Sequence, residues 1–342
     1  MIESSPMDLH PLARTLIDID STTGREAEIG DFLFRYLEAL VDGSGGAVER
    51  MPVEGDRCNV FAAWGEPVVV LSTHMDTVPP FFPSSEDGEH IHGRGACDTK
   101  GGIAAMLRAV EELLAEGRRG FGLLLVVGEE TDSAGAKVAN LHPRGSRYLV
   151  NGEPTENRLA LGSKGMLYLA LEAEGRAAHS AYPELGDNAI DKLLDALARL
   201  RSVPLPADPV LGETTLNVGT IAGGRAANVV ADHARAEVML RTVGETAELR
   251  RKTAAAVHAV PGVHIAEIRE TPAIHLGALP GFETTIVKYT TDVPRLGAWG
   301  EPFLLGPGSI HVAHTPGERV AKRELEEAVR LYREIVCRLQ DR

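Results

Sequence analysis

Residues 68–76 read VVVLSTHMD, and this stretch decides the fold: an unbroken apolar run ends in a histidine and an aspartate two positions apart. An apolar run of that kind suits a strand buried on both faces, as in a sheet covered by helices on each side. On an extended chain, residues two apart point to the same side, so Asp76 can reach the imidazole of His74 or line the same cavity. A carboxylate behind a metal-bound histidine fixes its tautomer; a purely structural hydrogen-bonded pair has the same spacing. Outward from this stretch, FGLLLVV (121–127) and YLV (148–150) are further apolar runs. Between the first two runs, Ile103, Met106, Leu107, Val110, Leu113 and Leu114 keep helical spacing over about 101–116. Strand, helix, strand predicts an α/β domain with a mixed central sheet and helices on both faces. Amphipathic patterns over 9–19, 26–40 and 322–339 add helices upstream and at the end.

The pattern changes after Gly162. Strands are expected over 166–173, 214–221, 233–241 and 263–268, with helices over 188–200 and 245–260. Ala234, Ala236, Val238 and Leu240 alternate strictly, as on a half-buried strand. The order βαββαβ is the ferredoxin-like arrangement. The expected division is therefore 1–162 with 271–342 as one domain and 163–270 as an insert within it.

The 342 residues exceed one average domain, and 44% hydrophobic with 25% charged residues is an ordinary globular balance. A formal net charge of −14 excludes a phosphate-backbone partner as the natural reading, because nucleic-acid binding needs clustered Lys and Arg. No apolar run has the length needed to cross a bilayer, and the opening MIESSPMDLHPLARTL lacks the pattern of a secretory leader. Cys58, Cys97 and Cys337 lie far apart and form no C-x-x-C pair, which fits a reducing cytoplasm.

The chemistry gathers where the apolar strands end. After His74 and Asp76 comes GRGACDTKGG (93–102), where Asp98 stands at a helix entry. A helix cap explains one carboxylate there, but glycines at 93, 95, 101 and 102 exceed what a cap requires and suggest close approach of backbone to a ligand or metal. Glu129 and Glu130 follow the second strand; they are either a solvated turn pair or carboxylates facing a cation. Glu153 follows the third, and His311 and His314 lie in HVAHTP. Sites in open α/β sheets form beyond the carboxyl ends of the strands. Imidazole with carboxylate ligands suits zinc, cobalt or manganese, and many carboxylates with few histidines suggest two divalent cations sharing one carboxylate. Such a pair hydrolyses amides at neutral pH. H-E-x-x-H, G-x-S-x-G and a P-loop are all absent from the sequence.

Taken in order, STHMDTVP, GRGACDTKGG, VVGEETDSAGA, NGEPT, AHSAYPELGDNAI, the segment around Asn228 and AHTPGE make the chain resemble the acetylornithine deacetylase and succinyl-diaminopimelate desuccinylase family of co-catalytic zinc hydrolases, with its aminoacylase and dipeptidase relatives. The resemblance implies that His74 and Glu153 hold one metal and that Glu130 and His314 hold the other, with Asp98 bridging. It implies Asp76 as the carboxylate behind His74 and Glu129 as the general base. It makes the βαββαβ insert a lid that also mediates homodimerisation. His179 then stabilises the oxyanion, commonly from the neighbouring subunit, and Asn228 and Arg241 contact substrate. Arg241 shares a polar strand face with Arg235 and Glu237, so a surface salt bridge is its alternative. The expected reaction is hydrolysis of an N-acyl amino acid such as acetylornithine, with a dipeptidase of the same fold as the alternative. A non-catalytic scaffold would be expected to lack Glu129 or Asp98, and both are present.

Overall fold

The computed structural model describes residues 7–342; the opening MIESSP, part of the stretch read as lacking a leader, lies outside them. The chain forms two compact units. The first takes the residues up to Leu161, then Leu276–Thr285 and Thr291–Arg342. The second takes Gly162–His275 and Ile286–Thr290. The chain thus returns to the first unit at Leu276 rather than at residue 271, and Ile286–Thr290 goes back to the second.

The first unit is built on a six-stranded sheet in the order Ala47–Glu54, Arg57–Trp64, Phe121–Val126, Val69–His74, Tyr148–Asn151, Glu301–Leu304. The last four strands run parallel, and the first two are antiparallel. Val69–His74 is buried along its whole length, which is why its sequence is a run and not an alternation. Successive residues still face opposite ways. Val69, Leu71, Leu123 and Leu125 join a core with Leu12, Leu33, Leu107 and Tyr332, whereas Val70, Leu124 and Val126 join one with Ala136, Ala139 and Trp299. Helices Leu9–Asp18, Ala27–Asp42, Lys100–Ala115 and Lys322–Gln340 supply the larger core, and the short helix Ala134–Leu141 the smaller. The hairpin 47–64 and the helix at 134–141 were not among the sequence expectations. Pro52 and mixed polarity disguise the hairpin's outer strand, as is common at a sheet edge.

In the second unit the elements run Gly165–Glu174, helix Ala189–Arg201, Thr215–Gly223, His233–Thr242, helix Thr246–His258 and Val263–Thr271. The four strands are all antiparallel, in the spatial order 215–223, 233–242, 165–174, 263–271. Leu167, Leu169 and Leu171, with Ala236, Val238 and Leu240, pack on Leu193, Leu197, Leu249 and Val257. Only alternate strand residues are buried, so both helices cover one face. Asn188 precedes its helix as a cap, its Oδ1 accepting from the Ile190 N–H at 3.0 Å. Thr215–Gly223 is an edge strand with Ile221 exposed. Among the described residues no helix is long and apolar enough to cross a membrane.

Candidate metal centre

Parallel strands deliver their carboxyl ends to one edge of the sheet, and that edge is where the first unit gathers its acids and imidazoles. His74 ends Val69–His74, Glu129 and Glu130 follow Phe121–Val126, and Glu153 follows Tyr148–Asn151. Asp98 lies just before helix Lys100–Ala115 and is joined to Thr99 by a cis peptide bond. One ligand atom from each of His74, Asp98 and Glu130 falls within 4.8 Å of the others. The two oxygens of Asp98 face different histidines: Oδ1 is 3.1 Å from His74 Nε2, and Oδ2 is 3.3 Å from His314 Nε2. His314 Nε2 is also 3.0 Å from Glu130 Oε1. Asp98 therefore sits between two imidazoles. His311, the other histidine of HVAH, is exposed.

His74 is presented in one orientation. Its Nδ1–H donates to the Asp76 carbonyl at 3.0 Å, which directs Nε2 toward Asp98. The Asp76 carboxylate also faces the ring, with Oδ1 3.5 Å from His74 Nδ1, and it accepts from other groups besides. Its Oδ1 accepts from Glu129 N–H at 3.1 Å, and its Oδ2 accepts from Glu130 N–H at 3.2 Å and from the Thr23 hydroxyl at 2.7 Å. Asp76 thus fixes the loop of adjacent glutamates as well as the histidine.

The electrostatics describe a centre short of positive charge. Burial, reinforced by the carboxylates of Glu153, Asp292 and Glu130, raises Glu129 well above the ordinary range. Burial likewise raises Glu153 and Glu130. Asp292, also buried here, is pushed up by burial to about 6. Burial opposes the charged form of His74, yet its hydrogen bonds to Asp76 and Asp98 carry its basicity well above normal. Contacts with Asp98 and Glu130 lift His314 to about 10. Protons stand in for cations wherever like charges crowd together out of water. Glu153 Oε1 is buried with no hydrogen-bond partner, which is the condition of a ligand oxygen without its cation. The donor set and this orphaned oxygen fit a pair of divalent cations.

Around the centre lies a frame that the sequence reading did not include. Glu318 is buried against Arg94, and its Oε1 accepts from Gly95 N–H at 2.9 Å and Asp98 N–H at 3.4 Å. It follows His314 by four residues, so one loop supplies an imidazole and also holds the Asp98 turn. Lys100 is fully buried, donates to the Ile19 carbonyl at 2.6 Å, and is lowered by burial to about 8. Two of the glycines of 93–102 answer to the turn's own packing: a Cβ on Gly101 would lie 2.3 Å from Ala96 O, and one on Gly95, at φ +88°, 2.9 Å from Lys100.

The remaining expected residues belong to the second unit. His179 and Asn228 come together there: His179 bridges to Val229, and Ser180 N–H donates to the Asn228 carbonyl at 3.0 Å. Ala181 N–H donates to His179 Nδ1 at 3.1 Å, so the ring proton resides on Nε2 of an exposed imidazole. Arg241 lies on His233–Thr242, half-buried, and burial depresses its basicity. Among the described residues no carboxylate forms an ion pair with it, contrary to the salt-bridge alternative.

A model of peptidase family M20/M25/M40 matches residues 70–338. The chain belongs to that family. It is accordingly a metal-dependent hydrolase of amide bonds. A peptidase M20 domain-containing protein of Schizosaccharomyces pombe is 40% identical, the alignment covering 96% of this chain and 84% of that protein. A probable carboxypeptidase of Aspergillus clavatus is also 40% identical, over 98% and 83%. A tripeptidase structure from Staphylococcus aureus superposes with a TM-score of 0.79 at 21% identity, over 98% of both chains, which shows the shared M20 fold. The relatives carry peptidase names, so the narrower expectation of an acetylornithine deacetylase gives way to the peptidase alternative within this M20 family.

Proposed function

We propose that the chain is a two-metal peptidase of carboxypeptidase or dipeptidase type, acting on short peptides with a free carboxyl terminus. The observation that carries this reading is the 40% identity, over most of both chains, to a protein named a probable carboxypeptidase. The half-buried guanidinium of Arg241, without a carboxylate partner, supports a substrate that brings its own. We assign His74 and Glu153 to one cation, Glu130 and His314 to the other, and Asp98 to both, with zinc the first choice and cobalt or manganese as substitutes.

Cations held there would polarise the scissile carbonyl and would lower the pKa of a bound water toward neutrality. Glu129, whose buried carboxyl already favours binding a proton, takes one from the attacking water and returns it to the leaving amine. Asp76 keeps Glu129 and Glu130 in register by their backbone N–H groups. We read the second unit as the ferredoxin-like lid and dimerisation module, with Asn228 and Arg241 contacting substrate. The Nε2–H of His179 then donates to the oxyanion, from either the same or the neighbouring subunit. A cytoplasmic location completes the reading.

A metal-replete assay of dipeptides and tripeptides, their C-terminal amides, N-acetylornithine and N-succinyl-diaminopimelate tests it. Free-carboxylate peptides should be cleaved and their amides spared. Turnover confined to the acylated amino acids would restore the deacylase reading.

A further inference from the structure

The segment Ile19–Glu26 precedes the part of the chain that matches the family model, yet it is fastened to the centre at several points. Ser21 Oγ donates to Met75 O at 2.7 Å, Thr77 N–H donates to Ser21 O at 3.0 Å, and Thr23 N–H donates to Thr77 O at 3.0 Å. These bonds lay Ser21–Thr23 alongside Met75–Thr77. Both ends of the segment are anchored by buried charge. Lys100 holds the Ile19 carbonyl, and Glu26 accepts from Gly24 N–H at 2.8 Å while Arg57 grips it through Nε at 2.8 Å and Nη2 at 2.7 Å. The same Nη2 lies 2.9 Å from where a Cβ on Gly128 would stand, against the residue that precedes Glu129.

We propose that Thr23 is a positioning residue of the hydrolytic centre, acting through Asp76 on the Glu129–Glu130 loop. This rests on the two-metal reading above. The Thr23 hydroxyl donates to Asp76 Oδ2 at 2.7 Å, the shortest hydrogen bond that carboxylate receives. Asp76 is wholly out of solvent, so no water can replace a lost donor without rearrangement. Its Oδ2 also receives Glu130 N–H, and its Oδ1 receives Glu129 N–H. Turning the carboxylate to seek a new donor therefore shifts a metal ligand and the base together. The segment brings a charge-assisted hydrogen bond from 53 residues away to the carboxylate that holds both glutamates by their N–H groups.

The test compares wild type, Thr23→Val and Thr23→Ser in the full chain. It measures Co2+ binding by visible absorption, thermal stability, and turnover of the peptide that wild type cleaves best. Thr23→Val keeps the shape and removes the donor. It should weaken Co2+ binding and lower kcat by about tenfold or more, the range for partners of metal ligands. KM should stay within about twofold, because the loss falls on an interaction that serves the transition state. Thr23→Ser should restore both. Wild-type Co2+ binding and kcat in Thr23→Val would overturn the proposal. So would a Thr23→Ser variant as impaired as Thr23→Val, because the methyl and not the hydroxyl would then matter. A wild type that binds no Co2+ and ignores chelation would instead overturn the metal reading beneath it.

Discussion

The two ends of Asp98 are built differently. At one end His74 closes a strand in the middle of the sheet, its side chain 1% exposed and both ring nitrogens engaged by Asp76 and Asp98. At the other end His314 lies on a loop at φ +63°, its side chain 48% exposed, and its contacts with Asp98 and Glu130 both run through Nε2. A left-handed backbone at a non-glycine residue costs on the order of 1–2 kcal/mol. The surrounding turn bears that cost, with Glu318 fixed against Arg94 and the Asp98 loop. The difference teaches that one half of the centre is organised by the fold, while the other is organised by a loop that a cation would help to hold. Asp98 and the Glu129–Glu130 pair join the halves.

The largest expected effect comes from a change that should disturb neither end. Glu129→Gln keeps the backbone N–H that Asp76 accepts and removes only the proton acceptor. Turnover should fall by roughly 10²–10⁴-fold, the span of general acid–base contributions. Metal content by elemental analysis should stay near that of wild type. A variant that loses its cations would make Glu129 a ligand and dissolve the distinction between the adjacent glutamates.

Next in size is the contrast between the histidines themselves. His74→Ala leaves a wholly buried stretch of Asp76 and Asp98 without its partner, a loss of about 1–3 kcal/mol in addition to lost metal. His314→Ala opens a half-exposed position, where solvent screens its ion pairs, and should cost less than His74→Ala in the metal-free protein. In the zinc-loaded protein the second variant should retain one equivalent of metal, and the first should retain less. Equal metal loss and equal destabilisation would show that the two ends are equally preorganised, against the asymmetry argued above.

Much of this centre was legible from strand ends alone. His74, Glu129–Glu130 and Glu153 each follow an apolar run, and a parallel sheet carries all such ends to one edge. The frame was not legible, because its members are linked by folding and not by spacing. Arg94 and Glu318 are 224 residues apart, and Thr23 and Asp76 are 53 apart. No periodicity connects them, and a Thr or a Glu in a loop is ordinary on its own. The glycines of 93–102 are ambiguous for a related reason: sequence shows that the backbone must come close to something, but not that at Gly101 and Gly95 the something is Ala96 O and Lys100. The division of the chain was readable from the change of pattern after Gly162, yet the short return of Ile286–Thr290 to the second unit leaves no compositional mark.

The smallest expected effect is a pH dependence that separates the two histidines without any substrate. In the metal-free protein His314 titrates at about 10, raised by Asp98 and Glu130 from an ordinary value of about 6.5. A folded-state value above the unfolded one means that protonated His314 contributes its full stabilisation below about pH 6.5 and loses it as the pH rises through about 10. The melting-temperature gap between chelated wild type and His314→Gln should therefore be widest near pH 6 and close toward pH 10.5. His74 should behave otherwise. Even as a neutral ring it still donates Nδ1–H to the Asp76 carbonyl, so part of its contribution does not depend on charge, and the gap to His74→Gln should persist at the alkaline end. Zinc should abolish the His314 trend, because a ligating imidazole is neutral throughout. If both gaps closed together, the hydrogen bond behind His74 would count for nothing, and the two ends of Asp98 would be alike.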